Sequence, residues 1–221
     1  MKVTWLGEAG LLFNNESISI LVDPCFKCEG GAFLDEYKPY LDISPDVIIL
    51  THSHPHHTDC ATLEQYLGRG KGITVLASEG AYASVLPLSK GDNPVLLSPH
   101  TVYSVNGVTF YSVKAEHTDR TAIGVIIDDG KTYYVAGDTL YNFDVIDDVL
   151  DLAPDGVDYA FLPINGTFGN MNAKDAADFA YEISAGRAIP VHYGNEYNVN
   201  PSDFDFEDAL LLLPFEEQEL K

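Results

Sequence analysis

Positive charge is what this sequence has least of. Twelve lysines and arginines stand against 34 aspartates and glutamates in 221 residues, a formal net charge of −22. Such a surface repels phosphate backbones and anionic lipid, which argues against nucleic-acid and membrane partners and leaves a small-molecule substrate as the expected one. No apolar run approaches the roughly 18–20 residues that a membrane span needs. The start, Met1-Lys2-Val3-Thr4-Trp5, lacks the long apolar region of a signal peptide and reads as a strand. A cytoplasmic location is therefore expected.

Cysteine is scarce as well. Cys25, Cys28 and Cys60 are an odd set, and in a cytosolic chain they argue against a disulfide framework. Cys25 and Cys28 make a CxxC, which could serve redox chemistry or half of a zinc site. With no second pair, small buried or half-exposed thiols are the favoured reading. Low-complexity segments, internal repeats and linkers are also missing, so one domain over 1–221 is expected; a homo-oligomer is compatible with the chain.

What is present reads as strands first. Segments 2–6, 10–13 and 17–22 look like antiparallel strands, with Asn14-Asn15 at a hairpin, followed by a long loop from 24 to 44 and a strand at 46–50. A helix from Cys60 to Leu67, capped by Thr58 or Asp59, and short strand–helix material at 73–88 come next. Strands are expected at 101–105, 107–114, 121–127 and 131–136, and the Asp-Asp-Gly at 128–130 marks a hairpin. The remainder alternates: helix 142–150, strand 157–162, helix 173–185, strand 187–191, helix 203–212. The acidic end, Glu216 to Glu219, reads as a solvated tail. Two sheets covered by helices follow from this order.

Histidine is the residue out of proportion. Of seven in the chain, four fall within one hexapeptide: His52, His54, His56 and His57, in Thr-His-Ser-His-Pro-His-His-Thr-Asp after the apolar run Val47-Ile48-Ile49-Leu50. Packing does not call for such a cluster, whereas neutral imidazole is the commonest metal ligand. In an extended segment His52 and His54 project to one side, and Pro55 turns the chain so that His56 and His57 can reach a second point. His117, Asp138, His192 and Asp23 each follow an apolar run at a strand end, where layered α/β proteins place their sites. Singly each is more often a surface or capping residue; together they point to a metal centre.

In this order the residues resemble the motifs of the metallo-β-lactamase superfamily. Leu-Val-Asp-Pro (21–24), Ile-Leu-Thr-His-Ser-His-Pro (49–55), Ala-Gly-Asp-Thr (136–139) and Ile-Pro-Val-His-Tyr-Gly (189–194) carry the resemblance. Leu162-Pro-Ile-Asn-Gly166 with Gly169-Asn-Met-Asn172 is similar to the L-ascorbate-6-phosphate lactonase branch. The resemblance implies an α/β fold, a four-layer αββα sandwich, with two divalent metal ions, zinc or manganese first and iron as a further choice. One ion would take His52, His54 and His117. The other would take His57, His192 and a carboxylate, with Asp138 bridging. Asp138, His56 and His192 are then the catalytic candidates, and a metal-bound hydroxide attacking an ester or lactone is the implied reaction. A small-molecule phosphodiesterase and a non-catalytic metal-binding protein are the alternatives.

One residue departs from the family pattern His-x-His-x-Asp-His: position 56 is histidine where an aspartate is usual. His56 either ligates through nitrogen or stands behind the ligands, with Asp23, Asp59 and Glu116 near enough in sequence to compensate the charge. Substrate-contact candidates are Asn165, Asn170 and Asn172, the last also a helix cap, together with Tyr193 and Asn195. Lys114 and Arg120 are the basic residues nearest His117. His100 reads as a loop residue.

Overall fold

In the computed structural model, residues 1–27, 33–194, 197 and 199–221 are described. They divide into two compact units, residues 1–97 with 212–221 and residues 98–211. Each unit is built on its own sheet.

The first unit holds seven strands: β1 (Lys2–Trp5), β2 (Leu11–Asn14), β3 (Ser19–Val22), β4 (Val47–Leu50), β5 (Thr74–Ser78), β6 (Asn93–Leu97) and β13 (Glu217–Glu219), ordered β13-β1-β2-β3-β4-β5-β6. β13 to β3 pair antiparallel, and β3 to β6 pair parallel. Asn15 makes the β2–β3 hairpin close, its Oδ1 accepting from the backbone N–H groups of Ser17 and Ile18 at 2.8 and 3.0 Å. All four side chains of β4 are fully buried, each contributing about 1.5–3 kcal/mol. Short helices α1 (Lys38–Leu41), α2 (Cys60–Leu63) and α3 (Glu79–Val85) supply the covering layer, where Leu63, Ala81 and Val85 join Leu21, Ile48, Leu50, Val75 and Ala77 in one cluster.

The second unit holds β7 (Val102–Val105), β8 (Val108–Lys114), β9 (Ile123–Asp128), β10 (Thr132–Val135), β11 (Tyr159–Pro163) and β12 (Arg187–Val191), ordered β12-β11-β10-β9-β8-β7. β12, β11 and β10 run parallel, while β9 is antiparallel to both β10 and β8. β8 therefore runs in the same direction as β10, β11 and β12, and all four end at one edge of the sheet. Helix α4 (Phe143–Leu152) starts at Asn142, whose Oδ1 accepts from Asp144 N–H at 2.7 Å. It buries Val145, Ile146 and Val149. Helix α5 (Ala173–Glu182) starts at Asn172 and buries Ala173, Ala176, Ala177, Phe179 and Ala180 on one stripe.

Four expectations change. The helix expected over 203–212 is not there: a three-residue turn ends at Asp203, Phe204 and Phe206 are both buried, a spacing of two that suits extended chain, and Leu210 N–H reaches Ala188 O on edge strand β12 at 2.9 Å. The acidic end is not a free tail, because Glu217–Glu219 pairs with β1 and Lys2 Nζ meets Glu217 Oε1 at 2.6 Å. A charged strand here covers an open sheet edge. Strand β6 was hidden by Pro94, which an edge strand tolerates since one side of it needs no donors. The helix after Asp59 is regular only to Leu63, and tightens into three-residue turns at Gln65 and Tyr66.

The cysteines also differ from expectation. Cys25 is disulfide-bonded, which corrects its reading as a plain thiol. Cys28 lies outside the described residues, and Cys60 is an exposed free thiol. No helix among the described residues is long and apolar enough to cross a membrane.

Candidate metal centre

Each unit carries its own set of candidate ligands. In the first, β3 and β4 are parallel neighbours, so Asp23 and Thr51-His52 leave the sheet at the same edge. Asp23, fully buried and in the left-handed region at φ 42°, is the hub of this set. Its Oδ1 accepts Thr51 N–H at 2.8 Å; its Oδ2 accepts the Thr51 hydroxyl at 2.6 Å and lies 2.8 Å from His57 Nδ1.

Those contacts fix the protons. A carboxylate can only accept, so His57 carries its proton on Nδ1 and presents the lone pair of Nε2. The Thr51 hydroxyl, having donated to Asp23, accepts from His52 Nδ1 at 3.2 Å, which leaves a lone pair on His52 Nε2 as well. That Nε2 lies 3.0 Å from His54 Nδ1. Two nitrogens on one ion at about 2.0–2.1 Å each would be on the order of 3 Å apart, so the pair fits a shared divalent cation. Thr58 Oγ donates to His52 O at 2.7 Å and pins the backbone of the cluster.

His56 sits in the turn closed by His57 N–H and Thr58 N–H on His54 O, at 2.9 and 2.8 Å. It is half-buried, and its Nδ1 is buried without a partner among the described residues. Asp59, expected to offset charge behind the ligands, is instead engaged in structure: it caps α2 through Ala61 N–H at 3.1 Å and accepts from the Thr62 hydroxyl at 2.5 Å and Lys27 N–H at 3.0 Å. Glu116 is exposed.

In the second unit the candidate ligands come one from each strand end. His117 follows β8, Asp138 follows β10 and His192 follows β12, all at the shared edge. Gly137, at φ 61°, turns the chain just before Asp138. His117 Nδ1 donates to Gly169 O at 3.1 Å, so its Nε2 lone pair faces Asp138 Oδ2 at 3.7 Å. His192 Nε2 lies 3.4 Å from Asp138 Oδ1. Thr139 ties two of these ends together: its Oγ accepts Glu116 N–H at 3.0 Å, and Leu140 N–H reaches Glu116 O at 2.8 Å.

Metal-holding groups of ligand atoms among the described residues include His52, His54, His57, His117 and Asp138; His56 and His192 belong to none of them. Thr51 and the Gly169 carbonyl escaped the reading of the sequence. Thr51 could have been found as a hydroxyl between a buried strand and a ligand, whereas a backbone carbonyl leaves no sequence signal. Asn172 proves to be a cap, its Oδ1 accepting Asp175 N–H at 2.9 Å. Tyr193 packs on the helix-covered core of its unit, and burial raises its phenol above the ordinary value. Lys114 Nζ turns to Asp144 at 3.3 Å, and exposed His100 pairs with Asp148. Asn195 lies outside the described residues.

A family model described as a beta-lactamase superfamily domain matches residues 19–193. A UPF0173 metal-dependent hydrolase of Ligilactobacillus salivarius is 31% identical over 209 residues, covering 87% of this chain and 85% of its own. Among solved structures, Igni18, a metallo hydrolase of Ignicoccus hospitalis, aligns with a TM-score of 0.76 at 21% identity, covering 100% of this chain and 99% of its own. An isothiocyanate hydrolase from Delia radicum gut bacteria aligns with a TM-score of 0.76 at 18% identity, with the same coverage. The α/β fold with two sheets expected from the motifs is the one that these structures share with the chain.

Proposed function

Because the chain belongs to the metallo-β-lactamase superfamily, and within it to the metal-dependent hydrolases, we propose that it hydrolyses a small-molecule ester or lactone. The observation that carries this reading is the pair His52 Nε2 and His54 Nδ1 at 3.0 Å, with the protons of His52 and His57 held away on Nδ1. The proposed metal ligands are His52, His54 and His57 in the first unit and His117, Asp138 and His192 in the second. A divalent ion held there would lower the pKa of a coordinated water to about 7 and polarise the oxygen of the substrate. Histidine-rich ligation suits zinc or manganese, with iron a further choice, over magnesium and calcium.

The chain's own part is orientation. Asp23 and Thr51 hold two rings of the first set, and the Gly169 carbonyl holds His117 in the second. The segment Leu162 to Asn172 supports a lactone by its similarity to the lactonase branch. A phosphodiester is the second reading, favoured by a cavity of about 480 Å³ that His117 lines together with Lys114 and Arg120.

The test is turnover of a lactone panel beside bis-p-nitrophenyl phosphate, with zinc and with manganese, for the natural protein and His56→Asp. Lactone turnover lost in His52→Ala is the expected result. Phosphodiester turnover alone would replace the lactone by the second reading. Silence in the natural protein with activity in His56→Asp would identify a metal-binding protein that has given up catalysis.

A further inference from the structure

His192 meets an amide where His52, His57 and His117 meet a hydroxyl, a carboxylate and a carbonyl. Its Nδ1 faces the carboxamide of Asn165, with Asn165 Nδ2 at 3.3 Å. Asn165 follows β11 as His192 follows the neighbouring β12, so adjacent parallel strands deliver the two residues to the same edge. Both are buried, at 4% exposure each, and His192 is held in the left-handed region at φ 55°. The other amide atom, Asn165 Oδ1, is buried without a partner among the described residues.

A carboxamide, unlike a carboxylate or a backbone carbonyl, offers a donor at one end and an acceptor at the other. With nitrogen toward the ring, it donates to the Nδ1 lone pair. The imidazole proton is then on Nε2, which lies 3.4 Å from Asp138 Oδ1. With oxygen toward the ring, it accepts a proton on Nδ1, and Nε2 presents a lone pair. A lone pair facing a carboxylate is repelled unless a cation lies between them. The two orientations of one amide therefore match two states of the neighbouring pair, and the ring stays neutral in both.

We propose that Asn165 is a positioning residue that sets the tautomer of His192: its amide donates to Nδ1 in the metal-free protein, and turns about χ2 to accept from Nδ1 when His192 and Asp138 share a divalent cation. The cation rests on the metal-dependent reading above; the donor role in the metal-free protein does not. The arrangement explains why a buried amide keeps one atom unpartnered. A leucine would fill the space without a hydrogen bond and an aspartate would only accept, whereas a carboxamide serves both tautomers.

The test uses full-length protein, metal-stripped and then titrated with zinc alone. Long-range proton–nitrogen NMR of the imidazole rings identifies the tautomers, with the His192 signals assigned by their loss in His192→Gln. In the metal-free natural protein His192 should carry its proton on Nε2, and zinc should move it to Nδ1. Asn165→Asp, acceptor only, should show Nδ1–H before any metal is added and bind zinc at least as tightly. Asn165→Leu should weaken binding of the more weakly held zinc about 10–100-fold, with metal-free melting within about 2–4 °C of the natural protein.

Natural zinc affinity in Asn165→Leu would overturn the proposal, as would an unchanged His192 tautomer in metal-free Asn165→Asp. A natural protein that binds no zinc would sink the metal-dependent reading instead. The tautomer in metal-free Asn165→Asp would still decide the role of Asn165.

Discussion

The two units present their candidate ligands by opposite means. In the first, three histidines lie within one turn after a single buried strand, and one carboxylate, Asp23, governs two of them, directly at His57 and through Thr51 at His52. In the second, His117, Asp138 and His192 come from three separate strand ends, and each histidine has its own partner, Gly169 O for His117 and Asn165 for His192. The first set is short-range in sequence and coupled through a shared hub; the second is long-range and held piece by piece. Damage should therefore spread in the first unit and stay local in the second.

The largest effect should come from the hub. Asp23→Ala strands the buried Thr51 N–H, the Thr51 hydroxyl and His57 Nδ1–H together. Each such group costs about 1–3 kcal/mol, so the three together should cost the metal-free protein on the order of 3–9 kcal/mol, read by chemical denaturation. Zinc binding by the histidines of the first unit should be lost. A variant that keeps either stability or that zinc would show that Asp23 is no hub.

Gly169→Ala should act more narrowly. Gly169 has φ 88°, and a Cβ there would lie 3.2 Å from His117 Nδ1 and 3.2 Å from Thr118 Cγ2. The added methyl presses on one ring only. Isothermal titration should show one zinc weakened about 10-fold, with the other unchanged. Equal weakening of both would remove the contrast between the units.

The smallest effect belongs to Asn172→Ala. As the cap of α5, its loss should lower stability by about 1 kcal/mol and leave zinc affinity and turnover as they were. A fall in turnover at constant stability would return Asn172 to the substrate contacts.

The same contrast explains what could be read from the sequence. Four histidines in six residues after a buried strand are legible at once, because period and spacing are local properties. His117, Asp138 and His192 gained meaning only from their order along the chain and their place at strand ends; the parallel direction of β8, β10, β11 and β12 then brings them to one edge. Strands with alternating or continuous apolar residues were placed within a few residues. Segments whose structure depends on an edge were misread. Phe204 and Phe206 follow β12's open edge rather than their own propensity, and Glu217–Glu219 becomes a strand only beside β1. The proton-holding contacts were the least legible, since Thr51 is a common residue and the Gly169 carbonyl belongs to every sequence.

The central claim is that both ligand sets hold divalent cations. Elemental analysis of the protein purified without added metal and then equilibrated with zinc tests it directly, with His52→Ala and His192→Ala measured beside it. The account predicts about two ions per chain in the natural protein and fewer in each variant. A natural protein that takes up no zinc, or variants that keep its full content, would contradict it.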